Sequence, residues 1–390
     1  MSDDTKGRKF STTVYESKKR AATDDGKKSL TQKAEERYQQ DGTLDPLIDP
    51  KGPPHLGPVR YAWSRFEQAG NLWKLPCGIA MAVERLIDTT GSMQNNIDLA
   101  FESAPILYQM LSGGKTPVLD RYDPQLATAI FGDVYDWINK SKPVLCRTQC
   151  EFDERMATQM ANMIPSRLGW ANGKEDPQYG LFAALFLTNC SAEQYGLKTY
   201  HFTASDEPTA MDLNMRFLNH IFGNDVVARV QENGYNIDPR RLPDTAEIVA
   251  ALQQKRHAFF LQVPGAEDSR VRNQWTELYG RDHVVLLTEG TRYLSQVQAL
   301  IIGLTEGTLS LLTAKEFLKE WKVPKQDATE IIASVENIPI GAQRLCPNFD
   351  RIPLAGAMFE NKGDLWPIDP ALAAGKDPAA DSGKKATEWL

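Results

Sequence analysis

The sequence predicts an α/β fold, and three observations predict it. Between residues about 60 and 312, short apolar runs alternate with longer amphipathic ones, the pattern of strands separated by helices. The 390 residues, 42% hydrophobic and 24% charged, have ordinary globular composition and suffice for one large or two medium domains. No internal repeat interrupts the alternation.

The strand candidates are 80–87, 126–131, 144–152, 199–203, 257–263 and 284–287, each a short apolar run. Helices are expected over 93–111, 154–164, 179–187, 212–222, 245–254, 269–279 and 295–312, where apolar residues recur at helical spacing. Two shorter helices, 314–321 and 325–336, are separated by Pro324 and read as an appended hairpin within 313–343. The segment 344–390 turns irregular, and the Ala/Gly/Lys/Asp/Pro stretch 370–390 is expected to be mobile. Glu84 and Arg85 interrupt the first strand, which places them at the bottom rim of the sheet, because buried charge is costly unless paired.

Residues 1 to about 50 carry ten basic and ten acidic residues, which cancel. The expectation takes Phe10, Val14, Tyr15 and Tyr38 as the side chains there that burial would draw on, too few to offset chain entropy. The expectation is a flexible arm over 1–58, ending in a Pro/Gly linker at 49–58, with the main domain at 59–312.

Charge and composition narrow the function. The formal net charge is 44 − 51 = −7, and no long Lys/Arg run stands against it, so nucleic acid is not an expected partner. No apolar run approaches ~18 residues and no basic-then-apolar leader begins the sequence, so neither a membrane span nor secretion is expected, and the cytoplasm is the expected compartment. Five cysteines, Cys77, Cys146, Cys150, Cys190 and Cys346, are too few and too scattered for a disulfide framework. Cys146 and Cys150 lack a second pair at zinc spacing and are expected to pack.

The chemistry concentrates in Leu86-Ile87-Asp88-Thr89-Thr90-Gly91-Ser92-Met93, directly after an apolar strand and before a helix. One carboxylate and two alternate hydroxyls can converge in a tight turn, and such oxygens suit a hard octahedral cation that keeps some of its water. Gly91 permits the turn without a Cβ clash. The bland reading of the same residues is a helix N-cap, since Thr and Ser before an amphipathic run commonly bond orphan N–H groups. Two further polar turns follow strands: Phe131-Gly132-Asp133-Val134-Tyr135-Asp136, and Thr203-Ala204-Ser205-Asp206-Glu207-Pro208.

This arrangement resembles the metal-ion-dependent adhesion motif of von Willebrand factor A domains, in the DxTGSM form of bacterial members. The resemblance implies a doubly wound, mostly parallel sheet with one antiparallel edge strand, to which the helical hairpin read from residues 313–343 adds a C-terminal extension. It implies that Asp88, Thr90 and Ser92 ligate Mg²⁺, or Mn²⁺ or Ca²⁺, at the carboxyl ends of the strands. Asp206 falls where the family carries an Asp that reaches the metal through water, with Ser205 beside it. Asp133 and Asp136 fall on the same rim. The family's middle-loop Thr has no counterpart in 169–178, where Glu175 or Asp176 would supply oxygen instead.

The function implied is a metal-dependent protein-binding module in which an Asp or Glu of a partner completes the coordination. Intracellular bacterial relatives act as adaptors for AAA+ ATPases or in stress and defence systems. The alternatives are a metal-dependent phosphoryl-transfer hydrolase built on Asp88 and a scaffold with a vestigial site. No P-loop occurs, Thr90 stands where a phosphatase of the haloacid dehalogenase type would place a second Asp, and His201, His220, His257 and His283 are expected to be structural or at the surface.

Overall fold

The computed structural model describes residues 12–52, 61–62, 80–140, 142–151, 155–169, 173–194, 196–265 and 268–351. Phe10, the linker residues 53–58 and the tail 370–390 lie outside the described residues, as do Phe152 and Glu154 at expected element ends.

One six-stranded sheet organises the molecule. Its strands are β1 (Ala80–Asp88), β2 (Asp123–Phe131), β3 (Leu145–Arg147), β4 (Thr199–Ser205), β5 (Arg256–Gln262) and β6 (Val284–Leu286), in the spatial order β3-β2-β1-β4-β5-β6. All neighbours are parallel except β2 and β3, which run antiparallel at the edge. The order runs outward from β1 to β3 and then restarts at β4 on the other side. That reversal opens a crevice between β1 and β4 at their carboxyl ends, the place where open α/β sheets hold ligands. A two-residue parallel ladder joins Tyr61–Ala62 to Thr188–Asn189 outside this sheet.

All nine residues of β1 are buried, as a central strand covered on both faces requires. Met81, Val83 and Ile87 point to one face, with Tyr200, Phe202, Phe259 and Leu261. Packed there are α3 (Asn96–Ser112), α12 (Leu294–Glu306) and the hairpin of α13 (Leu311–Glu320) and α14 (Lys325–Ser334). The other face carries Leu86, Ala129, Ala258 and Phe260 beneath α6 (Gln178–Phe186), α8 (Met215–Phe222), α9 (Val226–Glu232), α10 (Thr245–Lys255) and α11 (Asp268–Tyr279). Every residue of α6 is buried. Gly180 brings that helix onto β1, since a Cβ there would stand 2.4 Å from Leu86 Cδ1.

Several expectations are corrected. The segment read as a flexible arm carries α1 (Thr12–Asp24) and α2 (Gln32–Asp41), and Tyr15, Ala34 and Ile48 are buried in the main core. Few apolar anchors suffice because polar contacts join them: Glu35 accepts from Lys142 at 3.3 Å, and Arg147 N–H donates to Ile48 O at 2.9 Å. The single helix expected over 295–312 is two. Gly307, left-handed at φ 74°, closes α12, and Ser310 opens α13 with a capping box. Three short helices, α4 (Val134–Lys140), α5 (Arg155–Ala161) and α7 (Ser191–Gln194), complete the α-helices of the described residues; α4 and α7 lie where no helix is expected. No described helix is long and apolar enough to cross a membrane.

Glu84 and Arg85 are not at a rim. Both are fully enclosed, on opposite faces of β1; Glu84 finds its partners on neighbouring strands and Arg85 on α3. Glu84 forms ion pairs with Arg147 of β3 and, at 2.6 Å, with Arg256 of β5, and its Oε2 lies 3.3 Å from His201 Nδ1. Arg256 in turn meets Glu193 at 2.8 Å. Burial pushes the Glu84 carboxyl up, but the two guanidiniums and His201 outweigh it and hold the group well below the usual carboxylate range. Arg85 donates to Ala100 O at 3.0 Å and Ser103 Oγ at 2.9 Å, and burial lowers its pKa to about 9.

Candidate metal centre

The site begins where β1 and β4 end. The register pairs Ile87 with Ala204, so Asp88 and Ser205 leave adjacent strands side by side at the crevice. Ser205 Oγ donates to Asp88 Oδ2 at 2.6 Å. The chain then turns through Thr89-Thr90-Gly91, and the Thr90 N–H and hydroxyl both donate to Asp88 Oδ1, at 2.8 and 2.7 Å. Ser92 Oγ stands 3.2 Å from Thr90 Oγ1 and donates to Asp206 Oδ1 at 2.9 Å. Asp88, Thr90, Ser92 and Asp206 thus form one chain of contacts, assembled from segments 114 residues apart.

A second loop holds the turn in place. Thr89 Oγ1 donates to Phe131 O, Arg167 N–H donates to Thr89 O at 2.7 Å, and Gly91 N–H donates to Leu168 O at 2.6 Å. A Cβ on Gly91 would stand 3.2 Å from Gly169 N and from Leu168 C, a tight contact that the facing backbone would have to give way to admit. Asp136 accepts from the Ser166 hydroxyl, tying the same loop to the turn after β2. Asp136 therefore supports the site from behind, as a buried acceptor.

The remaining candidates divide. Asp176 Oδ2 accepts from Val134 N–H at 2.9 Å and its Oδ1 from Gln178 Nε2 at 2.7 Å, so both oxygens join α4 to α6. Asp133 Oδ1 accepts from Tyr135 N–H at 2.6 Å beside it. Glu175 takes a different direction. Its backbone is strapped to the loop beyond Asp206, with N–H to Pro208 O and C=O from Ala210 N–H, both 2.8 Å. Its side chain is 5% exposed, the Thr90 side chain reaches its carboxyl, and Oε2 makes no hydrogen bond. Glu175 rather than Asp176 comes to the Asp88–Thr90 pair. Trp170, Ala171 and Asn172 of the same loop lie outside the described residues.

The electrostatics follow from the crowding. Burial, with Asp206 nearby, raises the Asp88 pKa to about 7. Glu175 is pushed up to about 11, first by burial and then by Asp88, Asp133 and Asp176. Burial raises Asp206 as well, with Asp268 adding to it, and lifts Asp176 to about 6. Carboxylates gathered away from water demand protons or a cation.

A divalent cation fits these residues. Octahedral Mg²⁺ with bonds of about 2.1 Å places neighbouring ligand oxygens about 3 Å apart. The spacings of 2.7 Å from Thr90 Oγ1 to Asp88 Oδ1 and 3.2 Å to Ser92 Oγ are of that size. Among the described residues, no group of three or more His, Cys, Asp or Glu side chains is placed to hold a metal ion; the candidate donors here are one carboxylate and two hydroxyls.

The four described histidines lie elsewhere, and His55 falls outside the described residues. His201 contacts Glu84, His257 meets Gln343 at 2.7 Å, His220 stacks on Trp137, and His283 stacks on Phe259. Cys146, Cys150 and Cys190 are buried free thiols and Cys346 is partly exposed; Cys77 lies outside the described residues. Sequence reasoning missed the loop 166–168 as a support, and only the small residues Gly91, Ser166 and Gly169 signalled it. Compared with known proteins, the chain matches no family model and no curated protein.

Proposed function

We propose that this chain is a metal-dependent protein-binding module. It holds Mg²⁺, or Mn²⁺ or Ca²⁺ in its place, through Asp88, Thr90 and Ser92, and presents the ion to an Asp or Glu of a partner. The observation that carries this reading is the run of contacts from Asp88 Oδ1 through Thr90 Oγ1 to Ser92 Oγ, at 2.7 and 3.2 Å, at the crevice between β1 and β4. Asp206 and Ser205 support it by hydrogen bonds to Ser92 and Asp88, an outer set that orients ligands.

A protein partner suits the rim. Tyr135 and Ile138 on α4 follow directly on the turn after β2 and are 50% and 46% exposed. An aromatic and an aliphatic side chain beside a polar centre match the composition of interface cores. At a formal net charge of −7 the protein repels acidic partners at long range, and a bound cation converts that repulsion into a bond. The resemblance to bacterial von Willebrand factor A domains extends the proposal to an adaptor working with an AAA+ ATPase or in a stress or defence system.

The test is binding of short labelled peptides, each with a single Glu or Asp, in Mg²⁺ and in EDTA. The reading expects binding that needs Mg²⁺ and is lost in Asp88→Ala. Affinity equal in EDTA would overturn it.

A further inference from the structure

We infer that Glu175 is a resident carboxylate ligand of the bound metal, one that a partner's Asp or Glu must displace, so that the resting site is capped by its own chain. This rests on the metal reading above and adds its regulation.

Three observations carry it. First, Glu175 is 5% exposed, and its Oε2 makes no hydrogen bond although the side chain reaches Thr90. A buried carboxyl oxygen without a donor, beside Asp88 and Thr90, is left without the contact that a cation would supply. Second, the backbone fixes where that side chain emerges. Glu175 pairs with Thr209, and its N–H and C=O bond Pro208 and Ala210, just beyond Asp206. The Glu175 segment and the Asp206 segment therefore flank the site as one strapped unit. Third, the charges balance. Asp88 and Glu175 together neutralise one divalent ion, so the loaded centre has no net positive charge left to attract a third carboxylate. With Asp206 already joined to Ser92, a further anion adds to an excess of negative charge. Exchange keeps that balance, because the partner's carboxylate enters as Glu175 leaves. Glu175 then takes up a proton or turns to water, and no covalent step is involved.

The consequence is a module whose partner competes with an internal acid. Its affinity for simple carboxylates is low, and selectivity comes from contacts the partner makes outside the metal, of the kind Tyr135 and Ile138 offer.

The experiment uses the full chain with Mn²⁺ as the probe. Mn²⁺ affinity and the number of exchangeable waters on the bound ion are read by water-proton relaxation, and acetate binding to the Mn²⁺-loaded protein is titrated. Glu175→Gln is expected to weaken Mn²⁺ binding ~10-fold or more, since even outer-sphere partners are worth 10- to 100-fold. The bound ion should gain one exchangeable water, and acetate affinity should rise ~10-fold. Glu175→Asp, which keeps the charge but shortens the reach, should move water count and acetate affinity in the same direction. Circular dichroism checks the fold of both. An unchanged water count and acetate affinity in the two variants, with Mn²⁺ still bound, overturns the inference and leaves the metal reading standing. Failure of the unaltered protein to bind Mn²⁺ overturns both.

Discussion

Neutralising Glu84 tests whether the sheet closes over a balanced set of charges. Two carboxylates, Glu84 and Glu193, face two guanidiniums, Arg147 and Arg256, with side-chain exposures of 0 to 12%. Glu84 Oε1 serves Arg147, and Oε2 serves Arg256 and His201. In Glu84→Gln, Arg256 keeps Glu193 at 2.8 Å. Arg147 keeps the Ala183 carbonyl at 3.3 Å and the Thr188 hydroxyl, but loses its carboxylate in a site without solvent. Removing one partner of a buried pair typically costs ~3–5 kcal/mol, because the other charge stays buried. We expect a loss of that size in urea unfolding followed by circular dichroism. Glu84→Leu combined with Arg147→Met should recover most of it, with a coupling energy above ~2 kcal/mol, since an apolar replacement of a whole pair is often neutral. The low folded pKa of Glu84 also makes its contribution present above the unfolded value of 4.5 and lost as pH falls below that toward the folded one. The acid limb of the stability curve should therefore flatten in Glu84→Gln. A cost below ~1 kcal/mol, or a double variant that is simply additive, refutes the balanced-charge account.

Three other outcomes follow from single residues. Glu306, buried at the end of α12 and accepting from Tyr200 OH at 2.6 Å, has its pKa raised by burial from 4.5 to about 8. The folded state then holds a proton that the unfolded state has released between those values, so stability falls as pH rises through that window. Glu306→Gln should be near neutral at pH 4 and stabilising by ~3–5 kcal/mol at pH 9, and an equal effect at both pH values contradicts the shift. Tyr15 is 2% exposed, so Tyr15→Ala should lower global stability by ~3 kcal/mol; an unchanged denaturation midpoint would mean that α1 opens on its own. Gly91→Ala drives a Cβ against the backbone of Leu168 and Gly169 and should cost ~1–3 kcal/mol while weakening Mn²⁺ binding; wild-type stability and affinity together contradict the close approach.

The sheet was legible because its central strands are apolar runs buried on both faces, as β1, β4 and β5 are. The edge strand was read too long. After Arg147 the ladder turns irregular: Thr148 N–H still donates to Thr128 O, but Thr128 N–H turns to Thr148 Oγ1 and Gln149 N–H to Gln159 Oε1, and the next bridge is Glu151 with Leu126. The N-terminal helices were hidden because α1 and α2 bury few residues each, and composition averages such anchors away. Glu84 was visible as an anomaly, but its partners Arg147 and Arg256 lie 63 and 172 residues away and meet it only through the sheet. At the site the local spacing of Asp88, Thr90 and Ser92 could be read directly. That Glu175 rather than Asp176 comes toward Asp88 and Thr90 could not, since it depends on the backbone pairing of Glu175 with Thr209 and on the hydrogen bonds that hold Asp176 to Val134 and Gln178.

The most direct test of the account is Mn²⁺ titration by calorimetry of the full chain beside Asp88→Ala. Asp88 is fully buried at the crevice and accepts from both Thr90 and Ser205, so it is the carboxylate around which the donors are arranged. The account predicts one Mn²⁺ per chain, displaced by Mg²⁺, and loss of tight binding in Asp88→Ala with circular dichroism unchanged. Equal Mn²⁺ affinity in the two proteins, or none in either, contradicts it.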